Sequence, residues 1–554
     1  MIQKLPIFLL LLVFSLTVSA QPTVSVGTTS YTINPKLLGL NGRSTEGPSW
    51  TNNTFLSLVN EMNPGYVRYP AGTQGNQWDW KTGTFIASLG LNAQEIFTIP
   101  MCVNGIPAGC KLIYMVNMVL PTPQTGITFT TTADAHLATD ATLTAKIADI
   151  LNALAAFETA GHLPEVCELG NELYFTNVHA GVYANNPAFY LQHAKIIALA
   201  IKNKYPSIQI ILCTTKGGTS SRDLWNNTVF DKLSSDSQLN AAVYGIVQHH
   251  YINETYGSLV AVTDVLTAKT MIDEGIAYVQ EIATDYAVVP SGKKLWLTEY
   301  GATKASADGM WAAGLRTALM SLSFMNLGPK VDNLMWHHIT DDPNVLNSTK
   351  NKLGPVGIAF AQLSKAMNGS SSYKKMVFSN MSASNVYAGL TGYKFFANGV
   401  ENILILNSEN VSYTGVNLSN LTSASTLSFA KQYWSATPYL TEVSTSSNVN
   451  INTSTDLSAY QINPFSITVF SKSLNSSNVE NIENDAVKVF PTTFENELVI
   501  HSITNSNFSI YEVSGRKITS GKINVGENNV NTSTFSKGIH FVKIEGKVFI
   551  VVKI

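Results

Sequence analysis

Between residues 37 and 339, short apolar segments rich in β-branched residues alternate with longer segments of helical periodicity. Eight of the apolar segments are predicted strands: LLGLNG (37–42), YVRYPAG (66–72), KLIYMVNM (111–118), EVCELGNE (165–172), IQIILCTT (208–215), YGIVQHHY (244–251), KKLWLTEY (293–300) and DNLMWHHI (332–339). The helical patterns between them include residues 141–161 and 187–205. This alternation is typical of parallel α/β folds. Eight units predict a closed (β/α)8 TIM barrel, whose active-site residues lie at the carboxyl ends of the strands.

Polar and aromatic side chains lie near the carboxyl ends of most of these predicted strands. They are Arg68, Asn117, Asn171, Glu172, His249, Tyr251, Glu299 and Trp336. Because successive strand residues face opposite sides, His249 and Tyr251 are predicted to point the same way. The same argument gives Leu295, Leu297 and Glu299 one common facing. Two carboxylates that meet over a barrel mouth suit glycoside hydrolysis, in which one acid protonates the leaving oxygen and the other attacks.

The ends of predicted strands four and seven resemble motifs of glycoside hydrolase clan A. In that clan the fourth strand ends in Asn-Glu, which supplies the acid/base, and the seventh ends in the nucleophilic Glu. The matching motifs here are GNE at 170–172 and LTEY at 297–300. The resemblance covers roughly residues 22–473 and implies a retaining glycosidase with Glu172 as acid/base and Glu299 as nucleophile.

The resemblance also implies roles for other residues near the strand ends. Arg68 would orient the nucleophile, and Tyr251, paired with His249 on strand six, would donate a hydrogen bond to it. The remaining predicted substrate-binding or supporting residues are Asn117, Asn171 and Trp336. For Trp336 the prediction is the floor of the sugar site, and packing in the core is the alternative.

Two other features of the predicted site concern charge and metal. Glu168 lies deeper on the same strand as Glu172, and we expect it to pair with Arg68 in a structural role. The doublets at 249–250 and 337–338 suggest histidine metal ligands. Adjacent strand residues face opposite sides, however, so neither a metal nor another cofactor is predicted.

The sequence leaves the substrate open between two families. VRYPAGTQGNQWDW at 67–80 resembles the α-L-arabinofuranosidases, although their usual Gly-Gly-Asn is replaced by Ala-Gly-Thr at 71–73. ELGNEL at 168–173 resembles the heparanase-like β-glucuronidases. Lys216 and Arg222 are candidate basic groups for a uronic acid, with ordinary surface charge as the alternative. We expect a plant or algal polysaccharide or oligosaccharide as substrate; the alternative is a non-catalytic cell-surface carbohydrate-binding protein.

The composition changes after the predicted barrel, which covers residues 21–374. Ser, Thr and Asn become frequent and short alternating runs predict a β-sandwich over 375–473, to which residues 23–33 add a strand. Residues 474–485 are a predicted polar linker. Residues 486–554 resemble the small all-β type IX secretion sorting domain of Bacteroidetes, through motifs at 489–494, 515–516 and 538–553. This resemblance implies that the type IX secretion machinery exports the protein, which is then released or attached to the outer-membrane surface.

The amino terminus and the overall charge agree with an exported protein. Residues 1–20 have the pattern of a secretory signal peptide, and no later segment is long and apolar enough to predict a membrane-spanning helix. A net charge of -2 without a long basic run argues against nucleic-acid binding. Export permits disulfides, so a Cys102–Cys110 bridge remains open, whereas Cys167 and Cys213 are predicted core thiols.

Overall fold

Eight parallel strands form a closed barrel in which each strand pairs with the next one along the chain, which confirms the predicted TIM barrel. The barrel strands are Leu38–Asn41, Tyr66–Tyr69, Lys111–Val116, Val166–Leu169, Gln209–Cys213, Val243–Ile252, Lys294–Ala302 and Val331–Trp336. Each overlaps one of the segments predicted from the sequence. We number them here as barrel strands one to eight.

This computed structural model describes only part of the chain. The described residues are 23–42, 50–70, 72–76, 78–85, 97–118, 141–175, 183, 185–252, 261–283, 286, 288–302, 309–337, 345–347, 349–379, 389–397, 400–418, 421, 429–441, 448–471, 487–490, 493–502, 504–544 and 547–553. The predicted signal peptide and linker lie outside them. The chain divides into two compact units, Met1–Ser473 and Leu474–Ile554.

One layer of side chains fills the barrel beneath its mouth. Seven strands each contribute one buried apolar residue to it: Tyr66, Ile113, Val166, Ile211, Val247, Trp296 and Met335. Strand one places Gly39 at this level, where an added Cβ would lie 2.8 Å from the Met335 side chain and 2.9 Å from the Tyr66 carbonyl oxygen. The barrel is therefore a packed core that supports the residues above it.

Helices surround the barrel and bury their apolar faces against it. In the first unit they are Asn53–Met62, Gly72–Gly75, Ile99–Gly105, Ala141–Thr159, Pro187–Lys204, Ser220–Ser235, Ser237–Ala242, Val265–Glu281, Trp311–Asn326 and Pro355–Met367. Local sequence sets their starts: Asn52 and Asn186, for example, accept hydrogen bonds from the backbone of Phe55 and Phe189. A hairpin of Trp78–Asp79 and Thr84–Phe85 follows strand two.

Antiparallel sheets occupy the later part of the first unit. The larger sheet runs in the order Thr23–Val26, Ser372–Ser379, Leu390–Ala397, Val400–Asn407, Ser466–Ser471, Phe429–Trp434 and Asn450–Ser454, with Tyr31–Thr32 also paired to Ser372–Ser379. A smaller sheet pairs Tyr413–Val416 with Tyr460–Ile462. Side chains from both sheets share one apolar core. The N-terminal strand therefore belongs to a sheet whose other strands follow the barrel in sequence.

The second unit consists of two sheets around its own apolar core. One sheet contains Val487–Phe490, Glu497–Ser502 and Gly526–Asn531. The other runs in the order Thr493–Phe494, Lys547–Lys553, Gly538–Ile544, Ser506–Glu512 and Lys517–Ile523. All-β structure is what the resemblance to a sorting domain implied for this region.

All four cysteines are buried free thiols, so the structure contains no Cys102–Cys110 bridge. Burial raises the pKa of the Cys110 thiol to about 12 and that of Cys102 well above its usual value. Cys167 and Cys213 lie in barrel strands four and five as core thiols, as predicted.

Candidate active site

A bulge in barrel strand seven determines which way Glu299 points. Leu297 packs outward into the core beneath the helices, whereas Trp296 faces the barrel interior. Strict alternation from these two residues would turn Glu299 outward. Strand seven, however, advances from 296 to 299 while strand six advances only from Val247 to His249. The pairing with strand eight shows the same extra residue, because strand seven advances from Leu297 to Tyr300 while strand eight advances only from Leu334 to Trp336. The extra residue turns Glu299 back towards the barrel mouth.

Arg68 is completely buried at the barrel mouth, where it donates hydrogen bonds to the side chains of three residues. Its Nε and Nη2 atoms donate to the two carboxylate oxygens of Glu168, both at 2.7 Å. Nη1 donates to Glu299 Oε1 at 2.6 Å, and Nη2 also donates to Asn171 Oδ1 at 2.7 Å. The expected pairing of Glu168 with Arg68 is present, and the same guanidinium fixes Glu299.

Glu299 is held as a carboxylate. Burial alone would raise its pKa, but the positive charges of His249, Arg68 and His337 and a hydrogen bond from Tyr251 hold the pKa well below its usual value. Tyr251 donates that bond to Glu299 Oε2 at 2.5 Å. Burial and the neighbouring carboxylates raise the pKa of Tyr251 well above its ordinary value, so its hydroxyl stays protonated as a donor.

Glu172 lies in a tight loop after strand four. Gly170 and Glu172 both have positive φ angles, 82° and 48°, and the latter is uncommon for a residue with a side chain. Asn76 holds the backbone of Asn171, the residue between them, at both sides: its Oδ1 accepts from the Asn171 N–H at 3.0 Å, and its Nδ2 donates to the Asn171 carbonyl at 2.7 Å. The Glu172 side chain is 19% exposed, compared with 5% for Glu299.

His249 lies between the two carboxylates. Its Nδ1 is 3.0 Å from Glu172 Oε1 and 3.5 Å from Glu299 Oε2, while Nε2 is 3.1 Å from Thr298 Oγ1. Burial alone would lower the pKa of His249, but the two carboxylates raise it above the ordinary value. One oxygen of Glu172 and one of Glu299 lie within 4.8 Å of each other.

The spacing of Glu172, His249 and Glu299 could also accommodate a metal ion, because one ligand atom from each lies within 4.8 Å of the others. The donors around these atoms favour an acid–base site instead. Arg68 places a cation 2.6 Å from Glu299, and Arg68 and Tyr251 each donate a hydrogen bond to one of the two oxygens of that carboxylate.

Two other predicted residues have different surroundings. Asn117 donates to the Trp78 carbonyl at 3.0 Å, and its buried Oδ1 has no hydrogen-bond partner in the described parts of the chain. Trp336 differs from the predicted sugar-site floor: it is only 2% exposed and packs edge-on against Tyr300 in the core outside the barrel. Since Met335 faces the barrel interior, alternation turns Trp336 away from it.

Three further residues belong to the site: the sequence indicated no role for Asn76 or Tyr174, and it suggested His337 only as a possible metal ligand. His337 places Nε2 3.7 Å from Glu299 Oε2 and packs edge-on against Tyr251. Tyr174 donates to Glu172 Oε1 at 2.9 Å, and Asn76 fixes the loop as described above. Once Met335 is known to face the barrel interior, alternation along strand eight indicates His337. No local signal marks the other two residues.

Both the tail and the fold are similar to known proteins. Residues 488–554 match the family described as "Secretion system C-terminal sorting domain". No curated protein matches the sequence significantly. The fold is that of clan A glycoside hydrolases.

Three solved structures illustrate this likeness. A family 51 α-L-arabinofuranosidase from Bifidobacterium longum is 14% identical with a TM-score of 0.54, over 81% of this chain and 99% of that one. A GH51 arabinofuranosidase from Xanthomonas axonopodis pv. citri is 12% identical with a TM-score of 0.57, over 82% and 100%. A 4-O-α-L-rhamnosyl-β-D-glucuronidase from Fusarium oxysporum is 13% identical with a TM-score of 0.52, over 81% and 100%.

The sorting tail also bears on localisation. A type IX sorting domain indicates export, followed by secretion or attachment to the cell surface. Within the described ranges, none of the helices has the length and apolar character needed to cross a membrane.

Proposed function

We propose that this protein is a secreted retaining glycoside hydrolase with Glu299 as nucleophile and Glu172 as acid/base. The observation that carries the proposal is the approach of the two carboxylates to within 4.8 Å at the barrel mouth. Retaining glycosidases place these groups about 5 to 5.5 Å apart, whereas inverting enzymes need about 6.5 to 9.5 Å for a water molecule. The spacing supports retention of configuration.

The surroundings of Glu299 suit the step proposed for it, and Glu172 lies close enough to act on the opposite side of the scissile bond. Glu299, held ionised by Arg68 and Tyr251, attacks the anomeric carbon while Glu172 gives its proton to the leaving oxygen. A covalent glycosyl-enzyme forms and the first product departs. Glu172 then takes a proton from water, whose oxygen attacks the anomeric carbon and releases Glu299.

Exchange of each glutamate tests these roles with azide as an external nucleophile. Glu299→Gly should lose nearly all turnover, and azide should restore a product of inverted configuration because it enters from the vacated face. Glu172→Ala should lose most activity on poor leaving groups, and azide should attack the intermediate to give retained configuration. Glu165→Gln is the control, since Glu165 hydrogen-bonds Tyr66 at the opposite end of strand four. Identical azide products from both site variants would contradict the assignment.

We propose that the substrate is a plant or algal polysaccharide or oligosaccharide. The activity on it would be arabinofuranosidase-like or β-glucuronidase-like. The neighbours in fold include enzymes named for each activity. Release assays on aryl arabinosides, xylosides and glucuronides, together with polysaccharides, separate these possibilities. If the wild-type chain binds one glycan and releases no sugar from any substrate, the protein is a carbohydrate-binding protein on a catalytic fold.

A further inference from the structure

An arginine that the proposed mechanism does not use lies one aromatic ring away from Glu172. Arg222 is in the first turn of helix Ser220–Ser235, which follows barrel strand five. Its guanidinium carbon is 5.5 Å from the ring centroid of Tyr174 and 5.5 Å from that of Phe175. The Tyr174 hydroxyl donates to Glu172 Oε1 at 2.9 Å. Arg222 and the proposed acid/base therefore share one neighbour.

Within the described residues, no carboxylate neutralises Arg222. Arg68 and Arg516 each form ion pairs, at 2.7 Å and 2.5 Å, but Arg222 forms none there. Its neighbour Asp223 uses Oδ1 to accept the Gly218 N–H at 3.0 Å. The Arg222 side chain is half-buried and its guanidinium lies on two aromatic rings. As far as the described residues show, its planar hydrogen-bond donors are available to a ligand.

Lys216, the other basic candidate from the sequence, has a different environment. Its Nζ is 3.3 Å from the Tyr278 hydroxyl and 5.0 Å from the centroid of that ring. Tyr278 lies on helix Val265–Glu281 and approaches His250, which faces away from the barrel axis. Lys216 thus also follows barrel strand five, but its ammonium group contacts Tyr278 and not the aromatic residues beside Glu172.

The position of Arg222 assigns it to one half of the site. Among the residues that the structure describes, Glu299 contacts Arg68, His249, Tyr251 and His337, and it contacts none of Tyr174, Phe175 or Arg222. An acid/base residue contacts the leaving oxygen, so a group beside Glu172 and apart from Glu299 flanks the sugar unit that leaves. We propose that Arg222 binds an acidic group on that unit, which makes the substrate an acidic glycan; this inference rests on the proposed function.

The chemistry of the guanidinium defines the class of ligand. Its planar donors match two oxygens of one anion, either the carboxylate of a uronic acid or a sulfate ester. The helix that begins at Ser220 adds the partial positive charge of its amino terminus on the same side. Phe175, which is more exposed than the buried Tyr174, places an aromatic ring beside the cation, and this suits contact with an adjoining pyranose or furanose ring.

Calorimetric titration with oligosaccharide pairs that differ only in the acidic group tests the proposal. The probes are glucuronate-substituted xylo-oligosaccharides against their methyl esters, and sulfated galacto-oligosaccharides against their desulfated forms. Full-length Glu299→Gln protein serves as the background, so that binding is measured without turnover. Arg222→Gln should reduce the preference for the acidic partner of one pair by about 10- to 100-fold. The pair affected distinguishes carboxylate from sulfate.

The control and the second variant separate binding from packing. Lys216→Gln removes a charge after the same strand and should leave the preference unchanged. Arg222→Lys keeps the charge without the planar donors and should retain only part of the preference. Equal weakening of acidic and neutral partners by Arg222→Gln would show that Arg222 only packs on Tyr174, and no preference for any acidic probe would also overturn the proposal. Turnover by the wild-type chain reports separately on the proposed function.

Discussion

The two proposed catalytic glutamates have the same side chain but very different neighbours. Glu299 contacts a buried guanidinium, a tyrosine hydroxyl and two imidazoles, and these interactions favour its carboxylate. Glu172 accepts from Tyr174 and His249 in a more exposed loop. Enzymes that use two carboxyl groups in different roles depend on such differences in environment. The asymmetry supports Glu299 as nucleophile independently of any sequence motif.

Tyr251→Phe should show how much one hydrogen bond contributes to the low pKa of Glu299. Tyr251 helps to lower the pKa of Glu299, so loss of its hydroxyl should raise that pKa. A nucleophile must be ionised, and the acidic limb of kcat/KM should therefore move to higher pH. The lost charge-assisted hydrogen bond should also reduce kcat by about 10- to 100-fold. Initial rates across the pH range measure both effects.

Tyr174→Phe is the matched control for this experiment. Its hydroxyl contacts Glu172 rather than Glu299, so its removal should leave the acidic limb in place while changing rates on poor leaving groups. An equal displacement of the acidic limb in both variants would show that general loosening of the site, rather than the Tyr251 hydrogen bond, sets the ionisation of Glu299.

The strands themselves were predictable from the sequence, but the facing of their side chains was only partly so. Apolar runs separated by helical patterns located all eight barrel strands. The expectation that Leu295, Leu297 and Glu299 share one facing was wrong, because an extra residue in strand seven reverses the alternation after Leu297. A bulge depends on the pairing of neighbouring strands, which a single strand's sequence does not contain. Glu299 was found through its motif instead.

Strand eight shows the same limit. The sequence predicts the aromatic Trp336 as the sugar-site floor, whereas it is His337, at the next position, that contacts Glu299. Facing could be assigned only once the structure placed Met335 in the barrel interior. Contacts such as that of Asn76 with Asn171 join residues far apart in the sequence, and only the folded chain reveals them.

Gly170→Ala should test whether the loop after strand four positions Glu172. Gly170 has a φ of 82°, and an added Cβ would lie 2.3 Å from the buried Leu173 Cδ1. Backbone strain alone should lower the free energy of unfolding by about 1–2 kcal/mol, and relief of the clash should displace Glu172. We expect a further loss of stability and a fall in kcat, measured by denaturant unfolding and initial rates.

Gly161→Ala controls for backbone strain in that comparison. Gly161 has a similar φ of 84°, but an added Cβ would meet nothing within 4 Å. It follows helix Ala141–Thr159 and lies before strand four rather than after it. This variant should lose stability without losing kcat. Equal kinetic effects of the two substitutions would contradict a positioning role for the loop.

The two units have separate apolar cores, and this separation bears on how the chain is exported. The apolar clusters of the barrel and its antiparallel sheets contain only residues of the first unit. The C-terminal sheets bury a separate cluster that includes Leu498 and Ile510. A unit with its own core can fold without its neighbour. The site residues Glu172 and Glu299 belong to the first unit.

Deletion of residues 486–554 should therefore remove the export signal and leave the catalytic unit intact. In the native host, the shortened chain should accumulate in the periplasm, because the sequence that matches the sorting domain is gone. As a recombinant protein it should keep the Tm of its first unit and its kcat/KM, because no core residue of that unit is lost. Cell fractionation, calorimetry and activity assays measure the three outcomes. A lower Tm of the first unit would show that the tail also stabilises that unit, whereas delivery of the shortened chain to the cell surface would show that the tail is not the export signal.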